Sequence, residues 1–239
     1  MSRAVIMAGW DDVAHLSAQD KADMLKSLPP HQREARSKGV PSLGAGAIYP
    51  IPEEDIKVQP FMLPEHWPRA YGMDVGWNRT AAVWGALDRD AGIWYLYSEH
   101  YRGQAEPSVH TSAIKGRGDW IAGAIDPASR GRSQKDGENL LEVYQEQGLL
   151  LRKADNAVEA GLHSTFELLS TGQMKVFSTL QNWLKEYRLY RRDENGKIVK
   201  ENDHLMDATR YFVMTGRDLA ITKPQFNNMI RTNNDWRTG

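Results

Sequence analysis

Three aspartates of this 239-residue chain stand where a carboxylate can do chemistry. Asp74 lies inside "AYGMDVGWNRT" (residues 70–80), a strand-like run with glycines on both sides. Asp126 ends "GAIDP", and Asp207 follows Asp203 by one helical turn in "NDHLMDATRYF". A strand interior needs no turn, and a buried unpaired carboxylate is costly, so Asp74 calls for a partner. Three carboxylates close together in a partly dry site repel one another unless a cation neutralises them. Hard oxygen ligands suit Mg2+ or Mn2+, and two such ions roughly 3.5–4 Å apart activate a water and stabilise a leaving oxygen in phosphodiester hydrolysis. Asp203 is a helix cap or a further ligand, and His204 a ligand, a proton carrier or a plain surface histidine. Arg210, three residues beyond Asp207, is placed to pair with an acid. The competing reading is that an aspartate at a strand end closes a turn, which suits Asp126 before Pro127 best.

Composition narrows the rest. With 41% hydrophobic residues the chain is long enough for one substantial domain and an appendage. A formal net charge of −1 gives no global sign of a polyanion binder, so any nucleic-acid contact must come from local basic patches. The absence of cysteine removes disulfides, thiolate nucleophiles and zinc–thiolate sites, so a metal would be held by oxygen or imidazole. Apolar runs fall far short of membrane-spanning length, and "MSRAVIMAGWDDVAH" reaches tryptophan and acids too early for a secretory signal, so the expectation is a soluble protein of the cell interior.

The elements that must position the acids are read from period and punctuation. "SAQDKADMLKSL" has helical spacing behind a serine cap, and the Pro- and Gly-rich stretch after it reads as a linker. From Trp67 the texture changes. "RAYGMDVG", "TAAVWGAL" and "GIWYLYSEHYR" are three strands, the last two joined by "DRDAG" as an antiparallel hairpin. A helix over 107–115, a fourth strand "WIAGAIDP", a helix "GENLLEVYQEQG" and a fifth strand "LLLRKA" follow. Then come a helix "VEAGLHSTFELLSTG", a short strand "MKVFS", a helix "LQNWLKEYRLY", an Asn-Gly hairpin in "YRRDENGKIVK" and a closing helix "NDHLMDATRYFVM". The expected fold is α/β, a ribonuclease-H-like mixed β-sheet flanked by helices with an extended N-terminal linker. The expected divisions are 1–66 (linker), 67–216 (sheet domain) and 217–239 (polar tail). In such a sheet the first and fourth strands are neighbours, bringing Asp74 and Asp126 to one edge with Asp207 laid against them by the last helix.

The pieces "HQREARSKGVPSLGAGAIYPI", "YGMDVGWNRTAAVWGAL", "IDPASRGRSQKDGENLLEVYQEQGLLL" and "NDHLMDATRYF", in this order, resemble the C-terminal nuclease domain of the large terminase subunit of tailed bacteriophages, from about Trp10 to Met214. The resemblance implies a metal-dependent endonuclease that cuts concatemeric double-stranded DNA during genome packaging. It implies Asp74, Asp126 and Asp207 as the acids for Mg2+ or Mn2+, with Asp203 and His204 close by. It also implies partners: double-stranded DNA, an ATPase domain, and the portal and small terminase subunit of a packaging motor acting in the host cytoplasm. No G-x-x-x-x-G-K-[ST] phosphate loop occurs in the sequence, so the ATPase half is expected to be missing and residues 1–66 to be the segment that joins the two halves.

For DNA contact, "DPASRGRSQKDG" places Arg130, Arg132 and Lys135 in a loop directly after Asp126, able to grip phosphates without reading sequence. Arg188, Arg191, Arg192, Lys197 and Lys200 around the hairpin form a second basic set, diluted by Asp193 and Glu194. The eight tryptophans read mainly as core and packing residues rather than base-stacking platforms, and no aromatic ladder is evident. Two other classes compete. "DVGWNRT" is also similar to the first phosphate loop of actin-like ATPases and sugar kinases, but the second glycine-rich loop that such an enzyme needs is not found. A docking module of a packaging motor, without catalysis, is the other; resolvases and transposases share the fold class.

Overall fold

The computed structural model describes residues 9–10, 15–27, 37, 46–127, 140–193 and 195–224. Helix α1 spans Ala18–Ser27, with Ser17 Oγ and the Asp20 carboxylate hydrogen-bonded at 2.6 Å across its first turn. A short helix α2 (Glu53–Ile56) leads into strand β1 (Lys57–Val58). The centre of the domain is β2 (Arg69–Asp74), β3 (Thr80–Asp88) and β4 (Ile93–Arg102). Helix α3 (Pro107–Lys115), β5 (Ala122–Ile125), α4 (Leu140–Glu146), β6 (Leu151–Lys153), α5 (Val158–Ser170), β7 (Met174–Phe177), α6 (Gln181–Leu189) and α7 (His204–Met214) complete the order.

The seven strands form one sheet in the order β1-β7-β4-β3-β2-β5-β6. Only β3 runs against its neighbours; the remaining pairings, β2 with β5, β5 with β6, β4 with β7 and β1 with β7, are parallel. The C-terminal ends of β2, β4, β5, β6 and β7 and the start of β3 therefore share one edge, where loops from several strands can meet. This is the expected mixed sheet flanked by helices. The strand β1, which the sequence does not announce, pairs with β7 and is followed by buried Trp67, while Tyr49 and Ile56 are buried ahead of it.

Period-two alternation divides the side chains of β2 between two cores. Tyr71 and Met73 join Trp84, Ile114, Ile125, Leu141 and Tyr144 under α3 and α4. Ala70 faces the other way, into the larger core with Leu96, Val176, Trp183, Leu205 and Phe212 under α5, α6 and α7. Gly72 and Asp74 share that second face by alternation. The Asn-Gly hairpin is present: Arg192 bridges Ile198, and Gly196 takes a φ of 75°, the left-handed conformation that the turn demands of its glycine.

On the α3 side, His100 Nε2 and His110 Nδ1 lie 2.8 Å apart, with both residues buried. Burial, reinforced by His110, Arg117 and Arg102, pushes His100 down to about 4; burial also lowers His110. A histidine lowered in the fold binds protons more readily when unfolded. Its stabilising contribution is thus complete above the ordinary value of about 6.5 and is lost as the pH falls towards 4. The thermal midpoint is expected to drop by a few degrees between pH about 7 and pH about 5, and His110→Gln to flatten that dependence, as read by circular dichroism. An identical slope in the variant refutes the assignment.

Candidate active site

The site begins where β2 and β5 leave the sheet. Met73 lies opposite Ile125 in the parallel register, and the Asp126 amide donates to the Met73 carbonyl at 2.9 Å. Asp74, the last residue of β2, and Asp126, the first after β5, thus emerge side by side. Alternation turns Asp74 to the face covered by α7, and that helix can come close because β2 has no side chain at Gly72. A Cβ built there would meet the Phe212 amide nitrogen at 2.6 Å and collide with the Ala208 carbonyl oxygen.

Helix α7 then supplies groups to both strands. His204 Nδ1 is 2.8 Å from Asp74 Oδ2, and the Tyr211 hydroxyl donates to Asp126 Oδ1 at 3.0 Å. Asp207, on the same helix, accepts from Lys200 Nζ at 2.8 Å and from Arg210 Nη2 at 3.1 Å. Lys200 also lies 3.0 Å from Asp203 Oδ2 and so bridges the two acids. Burial pushes the Asp74 carboxyl above its usual range; the His204 hydrogen bond works against this, while Asp207 and Asp126 push further up. The Asp74 bond raises His204 in turn, so this pair retains a proton to higher pH than either group alone. Burial lowers Lys200, but Asp207 and Asp203 outweigh it and hold the ammonium charged.

The structure thus gathers Asp74, Asp126, Asp203, His204 and Asp207 at one edge. Asp203 occupies the cap position of α7 without a side-chain cap bond. Its carboxylate is drawn to Lys200, and the Leu205 amide is held instead by Glu186 Oε2 of α6 at 2.5 Å. Sequence reasoning missed Glu186, Tyr211 and the role of Lys200. For Glu186 the available signal was its position three residues after Trp183, on the buried face of its helix. Arg130, Arg132 and Lys135 lie outside the described residues. In the second basic set, Arg188 bonds Glu53 at 2.6 Å and Arg192 bonds Glu159 at 2.6 Å, so both heads face protein acids.

Among the described residues, no group of three or more His, Asp or Glu is arranged to hold a metal ion. Lys200 and Arg210 pair with Asp207, and His204 pairs with Asp74. The donors themselves suit a hard divalent cation, being carboxylate oxygens at the ends of adjacent strands and on the helix across them. The repulsion that Asp74 suffers from Asp207 and Asp126 is the strain such an ion relieves.

Residues 71–215 match the family model described as the terminase RNaseH-like domain. The large terminase subunit of Salmonella phage P22 is 36% identical over 226 residues, which are 90% of this chain and 45% of that protein. The chain therefore spans about half the length of the curated relative it matches. The nuclease domain of the P22 large terminase superimposes with a TM-score of 0.68 at 36% identity, over 75% of this chain and 96% of that one. The large-terminase nuclease domain of bacteriophage SPP1 with bound Mn shares the fold, with a TM-score of 0.50 at 16% identity over 65% of this chain and 92% of that one.

Proposed function

Because the chain belongs to the terminase RNaseH-like domain family, we propose that it is the nuclease portion of a large terminase subunit, a metal-dependent endonuclease that cuts concatemeric double-stranded viral DNA during genome packaging. The carrying observation is the meeting of Asp74, Asp126 and Asp207 at one sheet edge, close enough that the last two raise the pKa of the first. The P22 relative is named as a large terminase nuclease and the SPP1 one holds Mn, which supports both the reaction and the cofactor class.

In this reading Asp74, Asp126 and Asp207 hold Mg2+ or Mn2+, with Asp203 as an outer acid. Two ions bound there would supply an activated water and charge stabilisation for the departing 3′ oxygen. The chain's own groups prepare the site. Tyr211 fixes the orientation of Asp126 by donating to its Oδ1. His204 orients Asp74 and shares its proton, so it takes up or yields that proton as the carboxylate changes partner. Arg210, almost fully buried, pins Asp207 and also donates to Asn156 at 3.2 Å. Lys200, with a largely exposed side chain, holds Asp207 and Asp203 and balances their charge.

The proposed partners are double-stranded DNA, the ATPase half of the subunit, and the portal and small subunit of a packaging motor in the infected cell. Residues 1–66 serve as the connection to the ATPase half, with Tyr49, Ile56 and β1 packed onto the sheet domain, 67–216 as the nuclease domain and 217–239 as a tail. No helix among the described residues is long and apolar enough to cross a membrane. The test is supercoiled plasmid incubated with the protein in EDTA, Mg2+ or Mn2+, beside Asp207→Asn. Nicking and linearisation that need the ion and vanish in the variant support the assignment. A folded protein that cuts under no ion shifts it to a docking module. Cutting that persists in EDTA removes the metal site.

A further inference from the structure

Four of the tryptophans, Trp67, Trp84, Trp94 and Trp183, are buried as core residues, and Trp10 and Trp120 are half-buried. Trp77 is different: 64% of it is exposed to water, three residues beyond Asp74. A single exposed aromatic is ordinary by itself. What sets Trp77 apart is where it stands and how firmly the backbone holds it.

The turn of residues 75–79 joins the end of β2 to the start of β3, on the same edge as Asp74 and Asp126. The Gln104 amide donates to the Trp77 carbonyl at 2.8 Å, and Thr80 Oγ1 donates to the Gly76 carbonyl at 3.2 Å. The next loop packs so tightly that a Cβ at Gly103 would lie 2.8 Å from the Asn78 carbonyl carbon. This rigid turn projects an indole into water at the rim of an acidic site, with cations beside it. The Arg79 guanidinium lies 4.3 Å from the centre of the Tyr101 ring, and exposed Arg102 pairs across from Thr80.

An acid cluster repels phosphate, so a duplex brought to it must be gripped by neighbouring groups that tolerate any sequence. Cations on phosphates and an aromatic face on a sugar, or on a base that has left the stack, are such groups. We propose that Trp77 packs against a nucleoside of the bound DNA next to the phosphate presented to Asp74, with Arg79 and Arg102 holding adjacent phosphates. The inference rests on the reading of this chain as a DNA endonuclease, and names a substrate contact that reading does not contain. Trp77 is a positioning residue and touches no reacting atom.

The experiment is a polarisation titration of a short labelled duplex with the whole chain, with Ca2+ replacing Mg2+ and Mn2+ so that binding is read without cutting. Trp77→Ala is expected to weaken binding about tenfold or more, and Trp77→Phe to retain most of it. Across a salt series Trp77→Ala keeps the wild-type slope, whereas Arg79→Ala lowers it by about one. Thermal unfolding of Trp77→Ala matches wild type, because an exposed side chain leaves the core intact. Wild type that binds and Trp77→Ala that binds equally well overturn the Trp77 contact and leave the endonuclease reading standing. Equal losses in the Phe and Ala variants overturn an aromatic contact. Wild type that binds no DNA overturns the endonuclease reading, and this inference with it.

Discussion

Asp74→Asn is expected to abolish DNA cleavage, by on the order of 10³-fold or more, while the metal-free variant unfolds at or slightly above the wild-type temperature. The two halves have one cause. Asp74 is a mostly buried carboxylate whose charge is disfavoured first by that burial and then by Asp207 and Asp126. A group whose pKa is raised in the fold contributes stability at low pH and loses it as the pH rises through the folded value. The amide removes that penalty, so any gain from Asn grows towards alkaline pH. Its carbonyl oxygen still accepts from His204, whose ring nitrogen sits 2.8 Å from the present carboxylate oxygen. Removing the charge also removes the ligand. Wild type should therefore gain melting temperature on addition of Mn2+, and the variant should not. Calorimetry with and without Mn2+, beside plasmid cleavage, reads both. A variant that cuts normally excludes Asp74 from the chemistry, and one that loses many degrees without metal excludes the repulsion argument.

Gly72→Ala is expected to be strongly destabilising, costing about 3 kcal/mol or more and lowering the melting temperature by about 6–12 °C. The added carbon points into the backbone of α7, at Ala208 and Phe212, where no rotamer change can make room. The helix must lift or the strand must bend. Either movement withdraws His204 from Asp74 and Asp207 from the strand ends, so cleavage should fall further than the loss of folded protein explains. Denaturant unfolding, with activity corrected for the folded fraction, separates the two effects. A variant of unchanged stability shows that α7 does not depend on this contact.

Much of the order of elements was legible because each carries a local signature. The helix Pro107–Lys115 begins on the proline that marks its first turn, and β3 and β4 are joined by the short Asp- and Gly-containing hairpin. The adjacency of β2 and β5 was legible from the mixed-sheet order, and their parallel register puts Asp74 beside Asp126. Where local reasoning misled, a distant partner had intervened. Asp203 stands at a cap position yet turns to Lys200, and Asn202 before it adopts a φ of 54°. Arg188 and Arg192 read as solvated or DNA-facing cations, but Glu53 and Glu159 from far along the chain take them. Trp77 read as core because tryptophan usually is; a turn at the sheet edge leaves it in water.

The amino-acid sequence by itself determined the kind of chemistry available: oxygen donors without thiols, three acids on separate elements, and a strand and helix order that can gather them. Those properties depend on residue type and short-range spacing, which a linear chain states directly. Only the tertiary structure decided which charges answer which. Lys200 and Arg210 on Asp207, His204 on Asp74, Tyr211 on Asp126 and Glu186 beneath the start of α7 are all set by the approach of that helix to β2. That approach depends on the missing side chain at Gly72, and its consequences fall on residues more than a hundred positions away, beyond the reach of any local pattern.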